Sequence, residues 1–211
     1  VTKDFHYFTF KEESFVASLK NLNLCIGENS FSLRSLNLHL KDKGLEITVN
    51  VTLKEVYKWP DTLLNPGSMG FYNYIPSMEC YSQVCALDGT ASGQIIINDQ
   101  IISLKNYKIY IEKNWGKSFP YSWFWVQCNS FKEQLALTCS IAHIPFHVKS
   151  FRGHLIGLMY KGQFIKFTTI NRSSLNIRPH GRDIMIIASN KNYELTIETI
   201  TEESQFLLLH S

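Results

Sequence analysis

Apolar and polar residues alternate along short stretches of the chain, the two-residue period of a strand with one buried face. The longest stretch is Leu45-Glu-Ile-Thr-Val-Asn-Val-Thr-Leu-Lys54; shorter ones occupy residues 31–40, 94–98, 106–111, 135–142, 164–170 and 193–200. Turn chemistry separates them at Asp42-Lys-Gly44, Asn65-Pro-Gly67, Asp88-Gly89, Asn98-Asp99, Lys161-Gly162 and His180-Gly181, where Gly, Pro, Asn and Asp supply the backbone angles of a reversal. Strands at this spacing with few helical windows predict an all-β protein, an antiparallel barrel or sandwich. Residues 15–24 fit a short helix or a strand equally well. Residues 59–76, with Pro60, Pro66, Pro76, Gly67 and Gly70, read as a long connection that divides two sheet units. Its aromatic residues Trp59, Phe71, Tyr72 and Tyr74 predict an ordered one.

Composition narrows the class. A chain of 211 residues can bury a core as one large β domain or two small ones. Its aromatic content of 13% predicts an unusually aromatic interior. Twenty-one basic and 18 acidic residues, with no Lys/Arg block, predict no nucleic-acid partner. The apolar runs are strand-length, short of the ~20 residues of a membrane-spanning helix, and no signal or transit segment is visible. The chain begins at Val1 within an established pattern and ends at Phe206-Leu-Leu-Leu-His-Ser211 as if in mid-strand, so a piece of a longer product is expected.

Cys25, Cys80, Cys85, Cys128 and Cys139 form no disulfide framework, and their odd number predicts buried free thiols in a reducing, cytoplasmic setting. Their spacings lack the close pairs of a zinc site. Pro145 between His143 and His147 excludes a helical metal pair, so no metal is expected.

Candidate chemistry concentrates in residues 110–131, YIEKNWGKSFPYSWFWVQCNSF. Trp115, Trp123 and Trp125 surround Glu112 and the amides of Asn114, Gln127 and Asn129, as expected of a site for a large apolar ligand with few convergent polar groups. Alternation puts Trp123, Trp125, Gln127 and Asn129 on one strand face and Phe124, Val126 and Cys128 on the other. If the first face lines an interior, the indoles hold an apolar tail and the amides orient a polar head. In the alternative, the tryptophans plug one end and the amides bond to loops. Asn114 and Trp115 shape the turn into Gly116 as well as reaching ligand. Glu112, two residues after Tyr110, is the best-placed acid, its alternative being a surface glutamate on a strand edge. Glu79 is the second, as acid, as hydrogen-bond partner to ligand, or as a structural carboxylate.

Several blocks carry a family resemblance: Pro66-Gly-Ser-Met-Gly70, Tyr74-Ile-Pro-Ser-Met-Glu-Cys80, Ser92-Gly93, Tyr110-Ile-Glu-Lys-Asn-Trp-Gly116, Ser118-Phe-Pro120 and Trp123-Phe-Trp-Val-Gln-Cys-Asn129. In order and spacing, over residues 29–167, the chain resembles the tocopherol cyclase-like family, itself similar to carotenoid hydratases. The resemblance implies antiparallel lipocalin-like β-barrels, two in tandem with the first incomplete at its start. Residues 1–90 would then be the remainder of the first barrel and 91–211 the second. It also implies a cofactor-independent enzyme of the isomerase class that protonates the alkene of a prenylated quinol and closes a chromanol ring. Glu112 is the proton donor on this reading, matching an aspartate in the hydratases, with Glu79 beside it. Tyr110, Asn114, Trp115, Trp123, Trp125, Gln127 and Asn129 contact the substrate. The ligand is an apolar isoprenoid or prenylquinol, and transient contact with a membrane follows from it. Two alternatives stay open: a non-catalytic isoprenoid-binding barrel, and an alkene hydratase. The sequence departs from the family at Ser82, where relatives carry histidine, and lacks the family's Gly/Trp-rich opening.

Both activities share one step. A dry aromatic pocket favours a neutral carboxylic acid over a carboxylate, and ring faces stabilise a developing carbocation.

Overall fold

The alternating segments form antiparallel strands in the computed structural model, which describes residues 6–18, 21–76, 78–146 and 149–200. The strands are β1 (Phe15–Ala17), β2 (Asn23–Ile26), β3 (Asn29–Ser32), β4 (Ser35–Asp42), β5 (Leu45–Tyr57) and β6 (Cys80–Ala86). They continue with β7 (Asp88–Ile97), β8 (Gln100–Lys108), β9 (Ile111–Gly116), β10 (Ser122–Cys128) and β11 (Leu135–Phe146). The last are β12 (Lys149–Tyr160), β13 (Gln163–Thr168), β14 (Ser174–His180), β15 (Asp183–Ser189) and β16 (Glu194–Glu198). The chain is all-β, with antiparallel pairing throughout and only two short 3-10 turns, Glu12–Ser14 and Gly70–Tyr74, among the described residues. The end segment from Phe206 lies outside the described residues.

Four sheets result. The first runs β1-β2-β3-β4-β5-β7-β8, the second β10-β11-β12-β13, the third β14-β15-β16, and β6 pairs β9. Residues 90 and 91, the expected division, lie inside β7. Of the two readings left open for residues 15–24, the strand holds where the chain is described, as β1 and the start of β2. Three local expectations are corrected. The 31–40 stretch is two strands, because the Ser32 hydroxyl accepts from the backbone N–H groups of Arg34 and Ser35 and turns the chain. The 106–111 stretch spans the end of β8 and the start of β9. Asp88-Gly89 opens β7 rather than forming a turn, because buried Asp88 accepts from Lys108 Nζ at 2.7 Å and from Asn129 Nδ2 at 3.2 Å. At Lys161-Gly162 both residues have positive φ (49° and 80°), the geometry of a tight hairpin between β12 and β13.

The β10–β13 sheet packs core residues on both faces, and its alternation decides what each face does. Leu137, Cys139 and Ile141 of β11, Ile156 of β12 and Phe167 of β13 face one way, packing with Phe124 and Val126 of β10 against Ile186, Ala188 and Ile197 of the third sheet. Burial pushes the Cys139 thiol up to about 12. Ala136 and Met159 face the other way, against Trp59, Val84 and Leu87. There the Trp59 ring lies on Gly157, where a Cβ would meet its Cζ3 at 2.3 Å. The connection at residues 59–76 is thus ordered by its tryptophan. At the end of β9, Gly116 (φ 146°) lets the strand cross close over β6, since a Cβ there would meet the Glu79 carbonyl oxygen at 2.1 Å.

Candidate functional site

A cavity of about 320 Å³ lies between this second face of the β10–β13 sheet, the β6–β9 pair and the 3-10 turn at Gly70–Tyr74. The register explains the space. Trp123 pairs with Ala142, which pairs with Gly153; Trp125 pairs with Ser140, which pairs with Leu155. Two indoles therefore stand beside small residues that leave room unfilled. Met69 and Tyr72 from the 3-10 region, Cys80 and Ser82 from β6, and Phe119 complete much of the wall.

Glu112 and Asn114 reach the cavity from β9. Glu112 is half-buried and gathers three donors: Tyr110 Oη gives to Oε2 at 2.5 Å, Trp125 Nε1 to Oε2 at 3.2 Å and Asn114 Nδ2 to Oε1 at 3.0 Å. Behind them, Thr138 Oγ1 lies 3.0 Å from Tyr110 Oη. With Tyr110 donating to Glu112, Thr138 is the donor to Tyr110, so a directed chain runs from β11 to the carboxylate. Burial, and then the bond to Glu112, raise the Tyr110 phenol above its ordinary range, so it stays protonated as a donor. Burial likewise raises the Cys80 thiol and keeps it from being a thiolate nucleophile.

The other residues named from sequence lie elsewhere. Glu79 is tied to Ser118, whose Oγ donates to Oε2 at 3.1 Å, and its carbonyl accepts from the N–H groups of Lys117 and Ser118, so it anchors the turn after β9. Trp115 stacks on Tyr81, with ring centroids 5.3 Å apart, beneath the Lys113 ammonium. Asn129 is buried, donating to Ile109 O at 2.7 Å and to Asp88, and ties β10 to the first sheet. Gln127 stands opposite Thr138 with its Nε2 buried and unpartnered. Tyr110, Glu112, Asn114 and Trp125 are thus one hydrogen-bonded group, with Trp123 beside it on the cavity wall. Sequence reasoning missed Thr138, Ser140, Tyr72, Phe119 and Phe151. Phe119 and Tyr72 sit in stretches already marked by aromatic content, but nothing local to Thr138 points to Tyr110.

The chain matches the family described as tocopherol cyclase-like over residues 33–210. It is 32% identical over 157 residues to a protein of Oryza sativa subsp. japonica named "Probable tocopherol cyclase, chloroplastic", covering 71% of this chain and 33% of that one. It is 31% identical over 158 residues to "Tocopherol cyclase, chloroplastic" of Zea mays, covering 72% and 33%. The chain spans about a third of the length of these curated relatives. No solved structure matches it.

Proposed function

Because the chain belongs to the tocopherol cyclase-like family, we propose that its cavity takes a prenylated quinol and that Glu112 protonates the alkene so that the phenol oxygen closes a chromanol ring. The observation that carries this is the Glu112 group, an acid oriented by Tyr110, Trp125 and Asn114 on the wall of an aromatic cavity. The step balances without an oxidant. One proton leaves Glu112 for the alkene carbon, and the tertiary carbocation is captured by the phenol oxygen. The phenol proton is then lost, restoring the carboxylic acid directly or through solvent. The product is an isomer of the substrate.

On this reading the two oxygens take different parts. Oε2 is held by Tyr110 and Trp125, both of which can only donate to it here. Oε1 faces Asn114 alone, and a turned amide would present its carbonyl to a protonated Oε1. On this reading Oε1 carries the transferable proton, with the Asn114 amide turned from donor to acceptor. The indole faces of Trp123 and Trp125 line the same space, where a developing cation gains from ring quadrupoles.

Incubating the protein with a prenylquinol in deuterated water tests this: one deuterium at the former alkene carbon of a chromanol is expected. A hydroxylated, ring-open product would instead mean hydratase chemistry. A carrier reading has one observation in its favour. Trp123 and Trp125 are 57% and 46% exposed, so the cavity is open to solvent as a loading site would be. Tight binding with the alkene unchanged would establish the carrier.

A further inference from the structure

We infer that the mouth of this cavity is a docking surface for the leaflet of a lipid bilayer, and that the ligand enters head-first while its chain stays in the lipid. The surface is read from exposure and charge; the ligand's identity rests on the function proposed above.

The mouth is ringed by aromatic residues in contact with one another. Phe119 and Trp123 stack with centroids 5.8 Å apart, and both line the cavity. On the opposite side, Tyr72 stacks on Phe151, also lining residues, and Phe71 stacks on Tyr72 at 4.4 Å. The outward members are strongly exposed: Phe119 and Tyr121 are each 70% accessible. The loop before the 3-10 turn adds Leu63 and Leu64, 85% and 87% exposed, fixed to that turn because Tyr74 Oη donates to Leu63 O at 2.6 Å. Adjacent exposed leucines on an ordered loop have no role in the protein's own core, and apolar clusters at a site's rim mark an interaction surface.

Charge selects the partner. From Thr62 to Met78 the sequence contains no Asp, Glu, Lys or Arg, and neither does the segment from Ser118 to Phe131. These two segments carry the rim's exposed Trp, Tyr, Phe and Leu side chains, and β12 adds Phe151. A nucleic acid or an acidic protein surface would need cations there, whereas an uncharged rim of Trp, Tyr, Phe and Leu matches the interfacial zone of a neutral leaflet. Among the described residues no helix is long and apolar enough to cross a membrane, so the contact inferred is one at the bilayer surface. Cavity size adds a second argument. About 320 Å³ is at the small end of ligand pockets. That is room for a substituted ring and the first few chain carbons, so a long isoprenoid tail must leave across the aromatic rim.

Flotation with phosphatidylcholine vesicles tests the surface without any turnover step, so a failed cyclisation assay leaves its result standing. The wild-type protein is expected to float with the vesicles, and about 0.5 M salt should not release it, since screening acts on charges. The combined substitution Leu63→Ser, Phe71→Ser and Tyr121→Ser removes three exposed apolar side chains outside the cavity lining. It should lower the bound fraction at least about tenfold with the melting temperature unchanged. In the wild type, brominated lipid should quench tryptophan emission. Absence of flotation would overturn the inference, as would equal flotation of a folded triple variant. Self-association through the rim without vesicle binding would overturn it too.

Discussion

Glu112 takes its orientation from three side chains, Asn114 on β9, Trp125 on β10 and Tyr110 just before β9, and each can be removed separately. Tyr110 touches the carboxylate and Thr138 but does not line the cavity, so it is a positioning residue. Tyr110→Phe removes a bond to an acidic group and strands the Thr138 hydroxyl, a loss of about 1–3 kcal/mol in denaturant unfolding. Turnover should drop about tenfold in kcat with KM little changed, since ligand contacts persist while the acid is less well aimed. His154, on β12 and among the cavity-lining residues, offers an independent check on burial there. Its Nε2 lies 2.7 Å from Ser173 Oγ, and burial, aided by Arg152, holds its folded pKa below the ordinary histidine value of 6.5. The unfolded chain then binds the proton more readily, so this group's contribution is intact above about pH 6.5 and is lost as pH falls below it. Exposed His39, raised by Glu46, acts in the opposite sense but is common to both proteins. Melting temperatures at about pH 7.5 and about pH 5 should therefore differ less in His154→Gln than in wild type. The place of Glu112 on an aromatic cavity wall was legible from the sequence because an acid among tryptophans is unusual. Trp115, Gln127 and Asn129 were misplaced because alternation fixes a strand's face but not what covers it. The first face of β10 passes from open cavity at Trp123 to packed interior at Gln127, and beyond the strand Asn129 is tied into the Asp88 network.

At the scale of elements, β10 does two things at once. Phe124 and Val126 pack into the core shared with the third sheet, while Trp123 and Trp125 line the cavity. Opposite, the connection at residues 59–76 holds the cavity's other side through Trp59, whose ring occupies the place of a side chain at 157. Gly157→Ala should therefore force the indole to move, at a cost of about 1–3 kcal/mol. Urea unfolding and a changed tryptophan emission would report it, and an unaltered protein would show that the loop is not held by this contact. Strand existence and the hairpin turns were readable from alternation and turn chemistry. Strand ends were not. The Ser32 hydroxyl splits one apparent strand, and buried Asp88 converts an apparent turn into the start of β7, because partners distant in sequence decide both.

The half of the molecule that holds the site is layered: third sheet, β10–β13 sheet, then the β6–β9 pair with the Trp59 connection, with the cavity between the last two, while the seven-stranded first sheet packs its own core around Val49, Val51 and Ala91. In the described residues the hydrogen-bonded ladders are antiparallel sheets of seven, four, three and two strands. The barrel geometry implied by resemblance depends on long-range closure, which a two-residue period cannot encode. The family followed from motif spacing and the comparisons bear it out. Substrate and activity do not follow from a match that covers a third of the relatives. The most direct measurement is chromanol formation from a prenylquinol by wild type and Glu112→Gln, with ligand affinity measured in parallel by tryptophan quenching. Glutamine preserves the bonds from Tyr110 and Trp125 to a carbonyl oxygen but has no transferable proton. The account predicts a loss of at least about a hundredfold in product with affinity within a few-fold of wild type. Chromanol formation by Glu112→Gln at the wild-type rate would contradict it.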